Sequence, residues 1–196
     1  MKRTKQAYIP SDIELDGFIS LVQSDAKFGA RNNAIVHLSY FAGLRAKEIS
    51  ELDVENIYTE QGAIRPYTYL TEEQTKGNEG RRITLKSPRL IEALSEYHKV
   101  VKRRRFINRS LFVSSNHGRM SANTIAHLFK RLYKVANLQC SSHSGRRYFA
   151  TKMGNNPHMT TAKLMKLGGW KSPDIAMAYV EANEEEIDLL VEDTFS

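Results

Sequence analysis

Apolar residues recur every three or four positions along most of this chain, and one internal stretch departs from that pattern. Between residues 63 and 85 two short runs, Ile64–Leu70 and Arg81–Leu85, are rich in β-branched and aromatic residues. Between them, Thr75–Gly80 contains Lys76-Gly77-Asn78 and predicts a tight turn. One β-hairpin among helices predicts a mainly α protein with a small antiparallel β-sheet, an α+β fold.

Helical periodicity and start signals predict the remaining elements. Ser11 and Glu14 have the spacing of a capping box, with Ile13, Phe18, Ile19 and Val22 as the buried face. Pro88 is suited to the first turn of a helix that ends in basic residues. The other predicted elements are helices at 30–42, 121–135, 143–153, 160–167 and 173–181 and a strand at 111–113. On its buried face the helix at 30–42 is expected to carry Phe41, and in the other helices Ile91, Val100 and Val135 are also expected to be buried.

The charge distribution divides the chain into three parts. Its 196 residues suit one domain, with a basic arm at 1–10, a body at 11–182 and an acidic tail at 183–196. The last sixteen residues carry seven of the 22 acids and no Lys or Arg, so the rest has a net charge of +14. Such a body predicts a polyanionic partner, most simply nucleic acid. A basic surface that serves solubility is the alternative.

Several other classes of protein receive no support from the sequence. Apolar runs are too short for a membrane span, and the first residues lack the apolar stretch of a signal peptide. Cys140 is the single cysteine, which fits a reducing compartment, and we expect a cytoplasmic protein. The six histidines are scattered, and the sequence predicts no metal site, nucleotide loop or other cofactor.

Four residues are candidates for binding one anion. His143 and Arg146 lie one turn apart on a predicted helix. Arg45 follows Gly43 at a predicted helix–helix corner; the alternative is a surface arginine paired with Glu48. Lys76 lies on the hairpin turn, where most lysines are merely solvated.

Further basic residues predict phosphate contacts outside that set. Four consecutive cations at the end of the predicted helix that begins at Pro88 exceed what the helix dipole explains. The predicted DNA contacts are Lys102, Arg103, Arg104, Arg105, Lys130, Arg131, Lys134 and Arg147.

A phosphodiester in DNA would give these residues complementary roles. Two guanidinium groups can each donate two parallel hydrogen bonds to a phosphate and stay charged throughout. His143 and the indole N–H of Trp170 can add single hydrogen bonds, and Lys76 can give a proton to the leaving oxygen. Tyr179 would then be the nucleophile. Because cations neutralise the phosphate, this chemistry requires no metal.

The candidate residues belong to five short motifs that follow one another along the chain. They are Ala42-Gly43-Leu44-Arg45-Ala46-Lys47-Glu48-Ile49, Thr75-Lys76-Gly77, His143-Ser144-Gly145-Arg146-Arg147, Gly169-Trp170 and Tyr179. Over about residues 10–182, the chain resembles the catalytic domain of the tyrosine recombinases, or phage integrases. The resemblance implies site-specific cutting and rejoining of DNA through a 3′-phosphotyrosine, without ATP.

The resemblance also implies a role for each matching residue. Arg45 and Arg146 bind the phosphate, with Glu48 supporting the first arginine. Lys76 is the general acid, and His143 assists proton transfer. Trp170 stands where the family has His or Trp, and Tyr179 forms the covalent bond.

The chain departs from the family at two places. Gly145 replaces a larger apolar residue, which is expected to loosen the packing of its helix. We expect this chain to lack a counterpart of the family's amino-terminal DNA-binding domain, since about ten residues precede the first predicted helix. Short relatives include recombinases that invert fimbrial promoter segments and compact phage integrases. A one-sided grip on DNA leads us to expect cooperative assembly or a DNA-bending or directionality protein.

Partners and direction of reaction remain expectations. The family acts as a cyclic tetramer that passes its terminal helix to a neighbour, which fits the acidic tail. Integration, excision, inversion and resolution all stay open, as does a place on a mobile genetic element. The alternatives are relaxation of supercoils, as by a type IB topoisomerase, and a non-catalytic DNA-binding regulator.

Overall fold

The computed structural model describes residues 7–75, 80–104 and 109–180. The chain divides into two compact units, Met1–Phe149 and Ala150–Ser196. The described elements confirm the predicted mainly α fold with a small antiparallel sheet. In order they are α1 (Asp12–Gln23), α2 (Gly29–Ala42), α3 (Ala46–Ser50), α4 (Val54–Ile57), β1 (Tyr67–Leu70), β2 (Arg81–Thr84), α5 (Pro88–Lys102), α6 (Ala122–Val135), α7 (Ser144–Gly154), α8 (Thr161–Gly168) and α9 (Pro173–Met177).

Helix α1 begins with the predicted capping box. The Glu14 N–H donates to Ser11 Oγ at 3.3 Å, and the Ser11 N–H donates to the Glu14 carboxylate at 2.8 Å. Ile13 is 86% exposed, so the prediction that it faces the core is wrong. Leu15 takes that place because it shares a helix face with the other three apolar residues. The buried residues of α1 are Leu15, Phe18, Ile19 and Val22.

Helix α2 lies at the centre of the first unit and packs against α1, α3 and α5. The sequence predicts one buried face, yet the opposite face is buried as well. His37 is among the enclosed residues; burial lowers its pKa to about 4, so the imidazole is neutral at pH 7. Phe41, predicted to be buried, is only partly covered.

The two strands form the predicted hairpin. They pair antiparallel, with Tyr67 opposite Thr84 and Leu70 opposite Arg81. The strand predicted at 111–113 is replaced by isolated bridges, Asp53 with Ser110 and Val113 with Arg119.

Helices α5 and α6 are amphipathic, as predicted, and α5 has Pro88 in its first turn. Ile91, Val100 and Val135 are exposed, and the prediction that they are buried is wrong. Ile91 lies about 100° round the helix from Leu90, and Val135 is the last residue of α6. The buried residues are Leu90, Ala93, Leu94 and Tyr97 in α5 and Ile125, Leu128, Phe129, Leu132 and Tyr133 in α6.

Part of the predicted amino-terminal arm packs against the first unit. Pro10 is buried, and the Tyr8 hydroxyl donates to the Glu14 carboxylate at 2.9 Å. The Ala7 carbonyl accepts a hydrogen bond of 2.6 Å from Arg147 Nη1. Residues 7–10 are therefore held in place, whereas the predicted tail at 183–196 lies outside the described residues.

The second unit contains α8 and α9. Thr160 caps α8, with its Oγ1 accepting from the Lys163 N–H at 3.3 Å. Gly169 ends the helix with φ of 62°, a left-handed conformation suited to glycine. Among the described residues, no helix combines the length and apolar character needed to cross a membrane.

Candidate active site

Gly43 makes the corner that the sequence predicts between α2 and α3. Its φ of 66° lies in the left-handed region, and an added Cβ would meet the ring of Phe149, with Cε1 at 2.9 Å. Two residues later, Arg45 occupies the N-cap position of α3. The corner thus places Arg45 at the start of a helix. Its left-handed backbone and the close approach of Phe149 both favour glycine at position 43.

Glu48 orients Arg45 from inside the protein. The Glu48 carboxylate is fully buried and accepts hydrogen bonds from Arg45 Nη1 at 2.8 Å and from the Arg45 backbone N–H at 2.7 Å. Its second oxygen also accepts from Arg81 Nη2 at 2.8 Å. Arg45 therefore lies at the predicted helix–helix corner and is also paired with Glu48, so the structure contains both of the alternatives.

The charge balance keeps Glu48 ionised. Burial acts to raise its pKa, but the Arg81 guanidinium, the Arg45 backbone N–H and the charge of Arg146 outweigh burial and lower it. One carboxylate thus faces three guanidinium groups. The excess positive charge suits an anion such as phosphate.

Arg146 reaches the same corner from α7. The residue is 6% exposed, and its Nη1 donates to the Gly43 carbonyl oxygen at 2.7 Å. Because Gly43 lies two residues before Arg45, this hydrogen bond joins the segments that carry the two predicted phosphate-binding arginines. The sequence separates them by a hundred residues, and the structure brings them to one corner.

Gly145 allows α7 to approach α2 closely. A Cβ at this position would lie 2.8 Å from Tyr40 Cδ2 and would also collide with Ser39 Oγ. The expectation that Gly145 loosens the packing of its helix is therefore wrong. The missing side chain permits a closer contact, one residue before Arg146.

His143 immediately precedes α7 and is exposed. Its backbone N–H donates to Ser141 Oγ at 3.2 Å, and its carbonyl accepts from the Arg147 N–H at 3.0 Å. The predicted spacing of one turn from Arg146 is present, with an exposed imidazole at the helix start.

Lys76 lies outside the described residues, but the chain that leads to it is held against α3. Lys47 Nζ donates to the Glu73 carbonyl at 3.0 Å and lies 3.5 Å from the Thr75 carbonyl oxygen. Gln74 Nε2 donates to the Glu51 carbonyl at 3.1 Å. The residues just before Lys76 are therefore attached to the helix that starts at Arg45.

Trp170 and Tyr179 meet within the second unit. Their rings are stacked, with centroids 4.9 Å apart and planes 21° from parallel. The helix predicted at 173–181 ends earlier, at Met177, so Tyr179 lies on the following turn. Its N–H donates to the Ala176 carbonyl at 3.1 Å. The tyrosine is positioned by a turn and by an indole.

The residues predicted to contact DNA differ in their exposure and in the hydrogen bonds that they make within the protein. Arg104 donates to the Ser110 carbonyl at 2.8 Å and to the Tyr97 hydroxyl at 2.5 Å, and we assign it a structural role instead. Arg147 is half-buried and holds the Ala7 carbonyl. Arg105 lies outside the described residues. Exposed cations at the predicted positions are Lys102, Arg103, Lys130, Arg131 and Lys134.

Two neighbouring cavities bring basic residues from distant segments together. One of about 640 Å³ is lined by Lys27, Arg31 and Arg103 among others, and one of about 350 Å³ by Arg31 and Arg131. Because the cavities share Phe28, Arg31 and two serines, we call them together the basic groove. The sequence analysis did not predict a role for Lys27 or Arg31. For Arg31 the available signal is its position in the first turn of α2, where the helix dipole disfavours a cation.

The described residues contain no cluster of His, Cys, Asp and Glu that could hold a metal ion.

The phage integrase family model matches residues 13–186. The chain belongs to the phage integrase family. Among curated members, tyrosine recombinase XerA of Pyrococcus furiosus is 29% identical over 148 residues, which cover 74% of this chain and 48% of XerA.

Solved structures of the family share the fold. The crystal structure of XerA recombinase superposes with a TM-score of 0.76 at 21% identity, covering 100% of this chain and 66% of that one. The post-cleavage complex of XerH recombinase with palindromic difH substrate gives a TM-score of 0.72 at 18% identity, covering 96% and 53%. The chain spans about half the length of the curated relatives it matches.

Proposed function

We propose that this protein cuts and rejoins DNA at specific sites through a 3′-phosphotyrosine intermediate. The observation that carries the proposal is the meeting of Arg45 and Arg146 at the Gly43 corner. Membership of the phage integrase family and curated relatives that are tyrosine recombinases support it. Among the alternatives, neither supercoil relaxation nor non-catalytic DNA binding is favoured by these relatives.

In the proposed reaction, Arg45 and Arg146 bind the non-bridging oxygens of the scissile phosphate. Their charges stabilise the negative charge that grows there as the phosphorus becomes five-coordinate. The Tyr179 hydroxyl loses its proton to the surrounding water, and its oxygen bonds to phosphorus as the bond to the 5′ oxygen breaks. Lys76 gives that oxygen a proton, and His143 assists proton transfer.

Glu48 and Trp170 have supporting roles in this proposal. Glu48 holds Arg45 in place with hydrogen bonds to its guanidinium and its backbone. Trp170 stacks on Tyr179 and limits the motion of the nucleophile. The phosphotyrosine keeps the energy of the broken phosphodiester, so as proposed the reverse attack by a 5′ hydroxyl needs neither ATP nor a metal.

We also propose double-stranded DNA as the partner and the basic groove as part of its binding surface. Lys27 is exposed, and its Nζ lies 5.1 Å from the centroid of the Phe28 ring. Arg31, 4.4 Å from the same centroid, is half-buried and donates to the Val113 carbonyl at 2.9 Å, so it adds positive charge to the groove while its guanidinium is held by the protein. Arg103 and Arg131 extend the positive lining. Binding that rests on such contacts weakens steeply with salt.

We also propose how the protein assembles on DNA and where it acts. The family resemblance and the acidic residues after 180 support a tetramer on DNA that exchanges its tail. The proposal includes a helper protein that bends DNA or sets the direction of the reaction. Relatives from an archaeon and from bacteria support action on DNA in a prokaryotic cytoplasm.

The test is covalent trapping on suicide DNA. The protein is incubated with nicked duplexes whose half-sites are randomised, and adducts are separated under denaturing conditions and sequenced. We expect adducts enriched for one sequence, and their loss in Arg146→Ala. Relaxation of plasmids without any enriched site would favour the topoisomerase alternative. Specific DNA binding without adducts would favour the regulator.

A further inference from the structure

Arg81 is a buried arginine to which the proposed reaction gives no role. It is the first residue of β2, its side chain is 6% exposed, and its Nη2 donates to Glu48 Oε2 at 2.8 Å. A charged side chain is rarely enclosed unless it is paired, so Glu48 explains why Arg81 is tolerated at this position. The pairing does not explain why Glu48, which already pairs with Arg45, has a second arginine beside it.

The two carboxylate oxygens of Glu48 are shared among three donors. Oε1 accepts from Arg45 Nη1 at 2.8 Å, whereas Oε2 accepts from the Arg45 backbone N–H at 2.7 Å and from Arg81 Nη2 at 2.8 Å. Because Arg81 and the backbone N–H hold the same oxygen, together they fix the plane of the carboxylate. The direction of Oε1 is thereby fixed, and with it the place of the Arg45 guanidinium.

Arg81 also changes the charge that the corner offers to an anion. Arg45 and Glu48 alone would form a neutral pair, whereas two guanidinium groups against one carboxylate leave an excess of one positive charge. The Arg45 side chain is 23% exposed and the Arg81 side chain only 6%. An incoming phosphate therefore meets Arg45, while Arg81 offsets the charge of Glu48 from inside the protein.

We propose that Arg81 is a positioning residue that acts through Glu48 to orient Arg45 and to keep its charge available for the scissile phosphate. This inference rests on the proposed function, in which Arg45 binds a non-bridging oxygen. Arg81 itself touches no reacting atom. Its loss leaves the Glu48 carboxylate to be balanced by Arg45, so the defect falls on the stabilisation of negative charge in the transition state.

A scissile group without charge separates this defect from other damage. In the phosphodiester, the Tyr179 oxygen bonds to phosphorus as the P–O5′ bond breaks, and the non-bridging oxygens gain negative charge. In a methylphosphonate, a methyl group replaces one charged oxygen, so less negative charge has to be stabilised. A variant with a misplaced Arg45 is therefore slow on the phosphodiester and nearly normal on the methylphosphonate. A misplaced nucleophile or a lost proton donor slows both reactions.

The experiment measures single-turnover adduct formation with full-length protein in excess over suicide duplexes that carry the site enriched by trapping. Matched duplexes have a phosphodiester or a methylphosphonate at the scissile position. We expect Arg81→Met to lose about 10- to 100-fold on the phosphodiester and less than about 3-fold on the methylphosphonate, which is the pattern expected of Arg45→Ala. The control Arg82→Met removes the neighbouring exposed guanidinium, 4.2 Å from the centroid of the Tyr67 ring, and should match the wild type on both.

A double variant tests whether Arg81 acts through Glu48. When Glu48→Gln is already present, Arg81→Met should slow the phosphodiester reaction by less than about 3-fold further, because the carboxylate that links the two arginines is gone. A full additional loss in this background would show that Arg81 acts by another route and would overturn the inference.

Arg81→Gln replaces Arg81→Met if the latter does not fold, as judged by circular dichroism. The amide keeps an N–H donor for Glu48 but carries no charge, so it should also be slow on the phosphodiester alone. Equal slowing on both duplexes, or wild-type rates on both, would overturn the positioning role while the wild-type adducts still support the proposed function. A wild-type protein without adducts on the phosphodiester would defeat the proposed function, and this inference with it.

Discussion

Replacing Glu48 by Gln tests the electrostatic arrangement of the corner. The amide has the shape of the carboxylate but carries no charge, and one of its two ends is a donor. Glu48 accepts from Arg45 Nη1, the Arg45 N–H and Arg81 Nη2, all between 2.7 and 2.8 Å. At least one of these donors would then face an NH₂ group instead of an oxygen.

The expected cost follows from burial. Removing one partner of a buried ion pair costs about 3–5 kcal/mol, because the other charge stays enclosed. Arg81 is enclosed, but the Arg45 side chain is 23% exposed and can regain water. We therefore expect Glu48→Gln to lower the free energy of unfolding by about 3 kcal/mol at neutral pH.

The same interaction gives a dependence on pH. Neighbouring cations lower the pKa of Glu48 in the folded state below its ordinary value of 4.5. A lowered folded pKa adds stability above the unfolded pKa and loses it as pH falls through the folded pKa. The difference between wild type and Glu48→Gln should be full at neutral pH and should shrink below pH 4.5.

Urea unfolding followed by far-ultraviolet circular dichroism measures this difference across the acid range. Glu55→Gln is the matched control, because Glu55 forms an exposed ion pair with Arg109 and its loss should leave stability unchanged. A Glu48→Gln protein as stable as the wild type, or a difference that grows in acid, would refute the account of the corner.

Three further predictions concern packing, the nucleophile and DNA. Gly145→Ala should destabilise the fold by about 1–3 kcal/mol in urea unfolding, whereas Gly17→Ala in an open part of α1 should be neutral or stabilising. Trp170→Ala should slow adduct formation more than Trp170→Phe, which keeps a stacked ring. Lys27→Ala should reduce the slope of log binding constant against log salt by about 0.9, and Lys99→Ala outside the basic groove should not.

Periodicity and turn chemistry predicted most of the fold. The capping box at Ser11, the proline that opens α5 and the hairpin all depend on local sequence, and the structure has them. The errors lie where tertiary packing decides. Helix α2 is enclosed by three neighbours, so both of its faces are buried, and Ile13 lies off the face of α1 that contacts it.

In the candidate site, too, some features follow from the local sequence and others arise only from tertiary packing. The Gly43 corner and the Arg45–Glu48 pair follow from spacing along the chain. The contact of Arg146 with the Gly43 carbonyl spans a hundred residues and has no local signal. Arg81 was missed for a related reason, since a basic residue at a strand start is usually solvated, and only the fold buries it beside Glu48.

The most direct test of the central claim is to identify the residue that is bonded to DNA. Trapped adducts are digested with nuclease and protease, and the peptide that carries a residual nucleotide is sequenced by mass spectrometry. The account predicts one modified site, Tyr179, with no adduct from Tyr179→Phe and normal yield from Tyr69→Phe, which alters an exposed hairpin tyrosine. An adduct on another residue, or undiminished trapping by Tyr179→Phe, would contradict it.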